Sequence, residues 1–597
     1  MNNPAHLSKA ELLKLLQKND AQLSATSEQL SAINQLVQAK DDTIRQLEIK
    51  LDLAQKDYLK LWQERFLARS ERYLADPDQL RLDFGDTEEA ADAAAGLHEA
   101  LEEADLIPAH RRRKPKPRSE AFPAHFPRTE IIVDAAEADK TCPTHGEKQL
   151  LPESMWDVRE KLIYTPPTFY VEQRKYQKYA CVGQPACGIA TAERPTGIVE
   201  GDRYDSSVAA QIIAHKYAYH LPLYRQQDLL AGSGWTPARS TLLNILSGCH
   251  EVVEPLLSYF KRTLQGDSRV ACDDTGLTLL YPKVAPKFDL SDAKQKRMAE
   301  VFAAASQAGK PSINAKMWAY RGVTVRLNYF DFTVSRHRDG PEWFFEGFRG
   351  TLLGDCWQGF GAIAAGSEGA IVRAACNAHA RRKFDEAIDY PADRHRWMQW
   401  FQQLYEIESR GQTMSAEERL TLRGTEADAI WRQMREELDS IDRRTTPVVL
   451  PKSELRKGLN YVRNHWTELT RYLSDPGLPI DNNETEQLMK QVALGRKNWL
   501  FAGSVRGGER NAGFLTLVSS AHRNDLDVWA YVSDILKQLL AGETNYEPLL
   551  PWNWAATHPQ SIRQFRQEER RARDTRKKTE RAKRRARATL LKNHRRL

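Results

Sequence analysis

Between residues 268 and 387 the apolar pattern changes period repeatedly, and this alternation limits the fold more than any other feature of the chain. "SRVACDDTGLTLL", "AKMWAYRG" and "VTVRLNYFDFTVS" read as strands, "GPEWFFEGF" as a helix and "GTLLGD" as a short apolar strand. A helix and the strand opening "GAIVRAACNAHARRKFDEA" follow. Three strands, a helix, a strand, a helix and a strand predict a mixed sheet with helices on its faces, the order of a ribonuclease-H-like core. Asp273 falls within the first strand and Asp355 at the end of the fourth. Adjacent strands would join these carboxylates across 82 positions, and Glu486, a further 131 residues on, lies on a helix able to complete the cluster.

That helix begins in "GLPIDNNETEQLMKQVALGRKNWLFAG", residues 477–503. Asp481 is expected as its N-cap, with Glu484 completing a capping box. Capping leaves Glu486 unexplained, and Asn482 sits four residues before it on the same face.

A chain of 597 residues is too long for one ordinary core, and 41% hydrophobic content with 14 Trp argues for packed domains. No apolar run approaches the ~20 residues needed to span a bilayer. "MNNPAHLSKAELL" has no signal-peptide core, and seven Cys do not make a disulfide scaffold. These features predict a cytoplasmic protein. The net charge of +7 is concentrated at one end: residues 561–597 carry 16 Lys/Arg against 4 Asp/Glu, so the remainder is acidic. Such a basic tail, taken here as 556–597, is either a solvated end or an arm for a polyanion such as nucleic acid.

Residues 7–70 read as one helix. Leu23, Leu30, Val37, Ile44, Leu51 and Tyr58 recur every seven residues, with Thr26, Ile33, Lys40, Leu47, Ala54 and Leu61 three after each. Residues 1–73 are therefore expected to form an N-terminal coiled coil that joins copies of the chain. Residues 74–128 are acidic, then basic and Pro-rich, and suit a linker. In 129–198, Cys142, His145, Cys181 and Cys187 suggest a zinc-ribbon-like module holding a structural Zn2+, against free thiols; the second pair is wider than usual. Residues 199–262 are helical. Gly234 splits two helices and Thr236-Pro237 suits a helix start, a helix-turn-helix outline with Arg239, Ser240 and Asn244 facing outward, although most such pairs are only packing. The first part of the sheet domain spans 263–387, a helical insertion 388–470, and its completion 471–555.

"ACDDTGL", "GTLLGDCWQGF", "CNAHARRKFDEA", "PIDNNETEQ", "LGRKNWLFAGSVRGGER" and "LLPWNW" occur in this order, after "KYAYHLPLYRQQDLL". Together they resemble the insertion-sequence-66 family of transposases (the TnpC type) from about residue 45 to 555. The resemblance implies Asp273, Asp355 and Glu486 as catalytic metal ligands. Asp274 stands where that family has Glu, Cys356-Trp357 where it has Gly-Tyr, and Gln487 and Lys490 where Arg is usual. It also implies cleavage and transfer of DNA strands by a DDE mechanism, with Mg2+ or substituting Mn2+. Two ions about 4 Å apart suit in-line displacement at phosphorus, and Mg2+ prefers carboxylate oxygens.

The expected partners are double-stranded DNA at the element ends and target, further copies of the chain, and accessory proteins of the same element. The expected location is the bacterial nucleoid. Arg496, Lys497, Arg506 and Arg510 would meet phosphates in a glycine-rich loop, with Trp499 stacking on a base. Alternatively, at least two of Trp499, Leu500 and Phe501 enter the core. Cys376 and His379 have zinc-like spacing without a second pair. They are read as structural, or as DNA contacts with Arg381, Arg382 and Lys383; Lys490 is a separate DNA-contact candidate. The competing functions are a catalytically silent DNA-binding protein and a structure-specific nuclease of the same fold.

Overall fold

The computed structural model describes residues 202–576, apart from 283–285 and 445–448, together with residues 169–180, 189–191, 196–199, Thr579 and a few isolated positions before them. The heptads, the linker and the end of the basic tail lie outside the described residues. So do His145, Cys181 and Cys187 of the zinc set, while Cys142 lies in a two-residue strand. The chain divides into two units, 1–162 and 163–597. In the first, β1 (Thr141–Cys142) pairs antiparallel with β2 (Gly146–Glu147). In the second, β3 (Lys178–Ala180) pairs antiparallel with β4 (Ile189–Thr191).

Three helices lead into the second unit's main sheet: α1 (Ser206–Ile213), α2 (Leu223–Gly232) and α3 (Arg239–Gln265). Gly234, at φ +85°, turns the chain between α2 and α3. Helix α3 starts after Ala238 without a side-chain cap, so Thr236 does not cap it.

The sheet has the order β7-β6-β5-β8-β9. Its strands are β5 (Arg269–Leu280), β6 (Ser312–Gly322), β7 (Asn328–Thr333), β8 (Gly350–Gly354) and β9 (Ile371–Ala375). β5, β6 and β7 form antiparallel pairs, whereas β8 and β9 run parallel to β5. This is the mixed sheet expected, with one addition: α4 (Ala293–Gln307) intervenes between β5 and β6. Asp292 caps α4 by accepting the Gln295 N–H at 2.7 Å. Helices α5 (Asp339–Phe345) and α6 (Gln358–Gly366) connect the later strands.

Alternation along the strands feeds two cores. Val270, Cys272 and Leu352 join one, packed with α1 and α3. Ala271 and Leu353 join the other, with residues of α7 (Asn377–Asp385) and the helices that follow it. These are α8 (Pro391–Gly411), α9 (Ala416–Leu422), α10 (Asp428–Arg443), α11 (Glu454–Asn464) and α12 (Trp466–Thr470). Buried Arg423 grips Glu408 with two hydrogen bonds of 2.8 and 2.6 Å and donates to the carbonyls of Tyr472, Asp475 and Leu478. Arg269 holds the same segment through both oxygens of Asp475. This fixes the approach to α13 (Asn483–Trp499).

Helices α14 (Val505–Arg523), α15 (Val528–Leu540) and α16 (Pro551–Thr557) complete the unit. α14 covers the outer strand β7 and supplies the partners that a further strand would have given. Thr516 Oγ1 accepts the Phe330 N–H at 2.8 Å; Ser520 Oγ accepts from Asn328 N at 3.1 Å and donates to Asn328 O at 2.9 Å. Gly508 makes this approach feasible, since a Cβ there would lie 2.6 Å from the Phe332 ring. Residues 564–576 are helical, and Arg563 reaches Asp527 at 3.1 Å while Arg570 pairs with Asp525. Among the described residues no helix is long and apolar enough to cross a membrane.

Candidate active site

Asp273 sits midway along β5, where parallel pairing with β8 matches Val270 to Leu352 and Ala271 to Leu353. Continued by two residues, this register sets Asp273 beside Asp355. Asp355 follows the end of β8, and its Oδ1 accepts the Trp357 N–H at 3.0 Å, which fixes the turn into α6. Asp273 Oδ1 accepts the Asp274 N–H at 2.9 Å.

The Asp274 side chain is almost fully buried and is occupied by cations. Lys316 Nζ lies 2.8 Å from its Oδ2, and Arg336 lies 2.9 Å from its Oδ1. Arg336 also approaches Asp355 Oδ2 at 3.6 Å. Neither Lys316 nor Arg336 was legible as a site residue, because no local pattern marks them.

The third carboxylate arrives on α13, whose entry differs from the expected capping box. The N-cap is Asn482, not Asp481, and it makes no capping hydrogen bond. Its amide instead donates to the Cys272 carbonyl at 2.9 Å, and its backbone N–H to Cys376 Sγ at 3.2 Å. Asp481 accepts from the backbone and side chain of Asn483, and Glu484 pairs with Arg321. Tertiary bonds to β5 and to the N-cap of α7 thus override the local rule. They place Glu486 one turn into the helix, close enough for its charge to act on Asp273.

Burial pushes the Asp273 carboxyl up to about 7. The charges of Glu486, Asp274 and Asp355 add to the rise, against the hydrogen bond from the Asp274 N–H. A buried carboxylate whose neighbours are also acidic is a cation-binding environment. Glu486 itself leans toward α7. Its Oε1 lies 3.6 Å from His379 Nδ1 and 4.0 Å from Cys376 Sγ, and its Oε2 lies 3.8 Å from Arg382. Among the described residues, the trio whose ligand atoms all lie within 4.8 Å of one another is Cys376, His379 and Glu486. A distant glutamate thus lies beside Cys376-x-x-His379, which has no second Cys/His pair nearby in the sequence.

The basic and aromatic residues expected to meet DNA divide into two groups. Arg239, Ser240, Asn244, Arg382, Lys490, Lys497 and Arg506 are exposed, while Arg381 and Lys383 are half-buried. Arg496 and Arg510 are engaged by the protein. Arg496 donates to Gly276 O at 2.6 Å and tethers α13 to β5, and Arg510 donates to Ser247 Oγ of α3 at 2.7 Å.

The stretch read as a glycine-rich loop is mostly helix, since Arg506, Gly507, Gly508 and Arg510 lie in α14. Trp499 packs against Tyr217 and His220, with Lys216 Nζ 4.3 Å from its ring centroid. Leu500 and Phe501 are exposed, at 64% and 42%, rather than entering the core. A tight turn explains this reversal: Leu500 adopts φ +66°, ψ −46°, and the Phe501 N–H donates to Trp499 O at 2.8 Å. This is a γ-turn, which turns Leu500 and Phe501 outward.

Residues 201–510 match the transposase IS66 family, and residues 55–131 match "Transposase C of IS166 homeodomain". The second match covers the end of the expected coiled coil and the segment read as a linker. The chain is 30% identical over 498 residues to the uncharacterized protein y4jD of Sinorhizobium fredii, covering 81% of this chain and 90% of that one. It is 27% identical over 534 residues to y4hP of the same organism, covering 85% and 88%. With the family match spanning more than half its length, the chain belongs to the IS66 family of transposases.

Proposed function

We propose that this chain is a DDE transposase that binds the ends of a mobile element, cleaves DNA there and joins the freed end to target DNA. The juxtaposition of Asp273 and Asp355 by strand register, with Glu486 adding its charge, is the observation that carries this reading. Asp273, Asp355 and Glu486 would hold Mg2+, for which Mn2+ can substitute. The donor set fits, being all hard carboxylate oxygen, with a charge excess that a divalent cation relieves. When bound, the metal supplies Lewis-acid activation and charge neutralisation at phosphorus.

The chain's own residues position the reaction. Asn482 and Arg496 hold α13 on β5, so that Glu486 stays within electrostatic reach of Asp273. Lys316 and Arg336 neutralise Asp274, which leaves Asp273 as the reactive member of the pair, and Arg336 orients Asp355. Exposed Lys490, Lys497 and Arg506 would bind phosphates near the site, and Arg239, Ser240 and Asn244 would contact element ends. A zinc module and an N-terminal coiled coil pairing two copies, and hence two element ends, complete the proposal.

The test is cleavage and joining of labelled DNA carrying the flanking ends of the gene, with Mg2+. Glu486→Gln should lower both rates by about a thousandfold, because metal-borne charge stabilisation is worth several kcal/mol. Equal activity of wild type and variant would show that Glu486 is not the third ligand. Binding without cleavage by the wild type would favour the silent DNA-binding reading.

A further inference from the structure

We propose that Cys376, His379 and Glu486 form a second metal site, for a thiophilic divalent ion such as Zn2+, that shares Glu486 with the carboxylate cluster and competes with it. The binding half stands on geometry alone; the competition rests on the carboxylate cluster proposed above.

Cys376 is the N-cap of α7 and His379 lies in its first turn, so an i, i+3 spacing brings both side chains to one face. Glu486 reaches them from α13. Tetrahedral zinc, with bonds of about 2.3 Å to sulfur and about 2.0 Å to nitrogen or oxygen, sets its ligands about 3.3–3.5 Å apart. The carboxylate oxygen lies 3.6 Å from His379 Nδ1 and 4.0 Å from Cys376 Sγ, within a rotamer adjustment of those edges.

Two further features point to a ligand. His379 Nδ1 is a buried ring nitrogen with no hydrogen-bond partner, so it faces the cluster unsatisfied. Cys376 Sγ accepts the Asn482 N–H at 3.2 Å, an interaction of the kind that orients sulfur lone pairs around metal ligands, while burial and the charges of Asp481 and Glu486 push the thiol up. One sulfur, one imidazole and one carboxylate suit zinc and leave a fourth position open. Hard Mg2+ has little affinity for the sulfur. Glu486 cannot serve both sets at full strength. Zinc held by Cys376 and His379 keeps this carboxylate on the α7 side, away from Asp273 and Asp355.

The experiment uses the full chain, stripped of metal with a chelator. Co2+ titration followed by absorbance should give a thiolate-to-cobalt charge-transfer band. Cys376→Ser should lose one equivalent of it relative to wild type, whatever the other cysteines contribute. His379→Gln, at a half-exposed position, should weaken the same component at least tenfold, which keeps the test open if the buried serine variant folds poorly. Superimposable titrations for wild type and both variants would overturn the site.

Competition is read without catalysis by electron paramagnetic resonance of Mn2+ held by the carboxylates. Zn2+ added beyond the equivalents taken up by the other cysteines, as counted in the Cys376→Ser cobalt titration, should release Mn2+ from wild type and leave it bound in His379→Gln. Retention in both proteins would overturn the competition. Failure of wild type to bind Mn2+ at all would sink the carboxylate cluster, and competition with it, while the cobalt result stands.

Discussion

The two ends of helix α13 were marked in opposite ways, and the contrast shows what residue type alone conveys. Its first turn holds an ordinary run of Asp, Asn and Glu that local rules explain as a cap. The turn is instead fixed from outside, by Asn482 on the Cys272 carbonyl and by the Arg423 and Arg269 grips on the preceding segment. Its last turn is basic and aromatic, and looked like a surface for nucleic acid. There Arg496 and Trp499 hold the helix to the protein, and Leu500 and Phe501 face solvent. A sequence names the groups available at each end. Which way they point depends on partners hundreds of residues away.

Four substitutions sharpen this comparison. The largest effect should come from Arg423→Met, which leaves Glu408 without its buried partner and three carbonyls without a donor. A loss of about 3–5 kcal/mol is expected, read as a lower urea midpoint at unchanged slope. An effect below that of an exposed arginine would mean that the approach to α13 is not held from this side.

Next, Asn482→Ala removes a bond that a buried carbonyl needs and should cost about 1–3 kcal/mol. Because the bond sets the helix on β5, Mn2+ affinity should fall with it. Stability lost without any change in Mn2+ affinity would separate the pin from the site.

At the other end, Leu500→Gly should stabilise the chain by about 1 kcal/mol, since a γ-turn with positive φ strains any residue with a Cβ. Thermal melting tests this, and a lower Tm would show that the leucine's exposed surface has a packing role.

The smallest effect concerns Lys216, beside the Trp499 ring. Burial, with Arg510 nearby, pulls its amine down to about 8. The unfolded chain then binds more protons between about 8 and the ordinary lysine value, so this contribution to stability grows as pH rises through that window and is lost as pH falls to 8. Lys216→Met should flatten that slope in urea midpoints measured at successive pH values. Parallel curves for the two proteins would place the amine in water.

Much of the sheet was legible, because its strands carry short apolar runs between turn residues, aromatic in β6 and β7 and aliphatic in β5, β8 and β9. Helix α4 was not legible, although Asp292 caps it, because its buried face is only Met298, Phe302 and Ala305 in an otherwise polar and small-residue run. Asp273 and Asp355 could be placed on neighbouring strands in advance, since the order of elements along the chain is that of a ribonuclease-H-like core. The bond from Asn482 and the proximity of Cys376 to Glu486 could not be read in advance. Both depend on how a helix entering after the insertion docks on β5 and the start of α7, and no spacing rule spans that distance. The reversal at Leu500 was hidden for a different reason, since leucine gives no hint of a positive φ.

The cover that α14 lays over β7 bears on how copies of this chain can meet. A bare edge strand invites any neighbouring strand to extend the sheet, and the hazard grows when several copies are gathered on one nucleic acid. Here hydroxyls from a helix already occupy backbone positions of Asn328 and Phe330, so the sheet ends at β7 without closing into a barrel. Crowding on DNA can then raise local concentration steeply without seeding strand exchange from this side, which leaves any pairing of copies to surfaces other than the edge of β7.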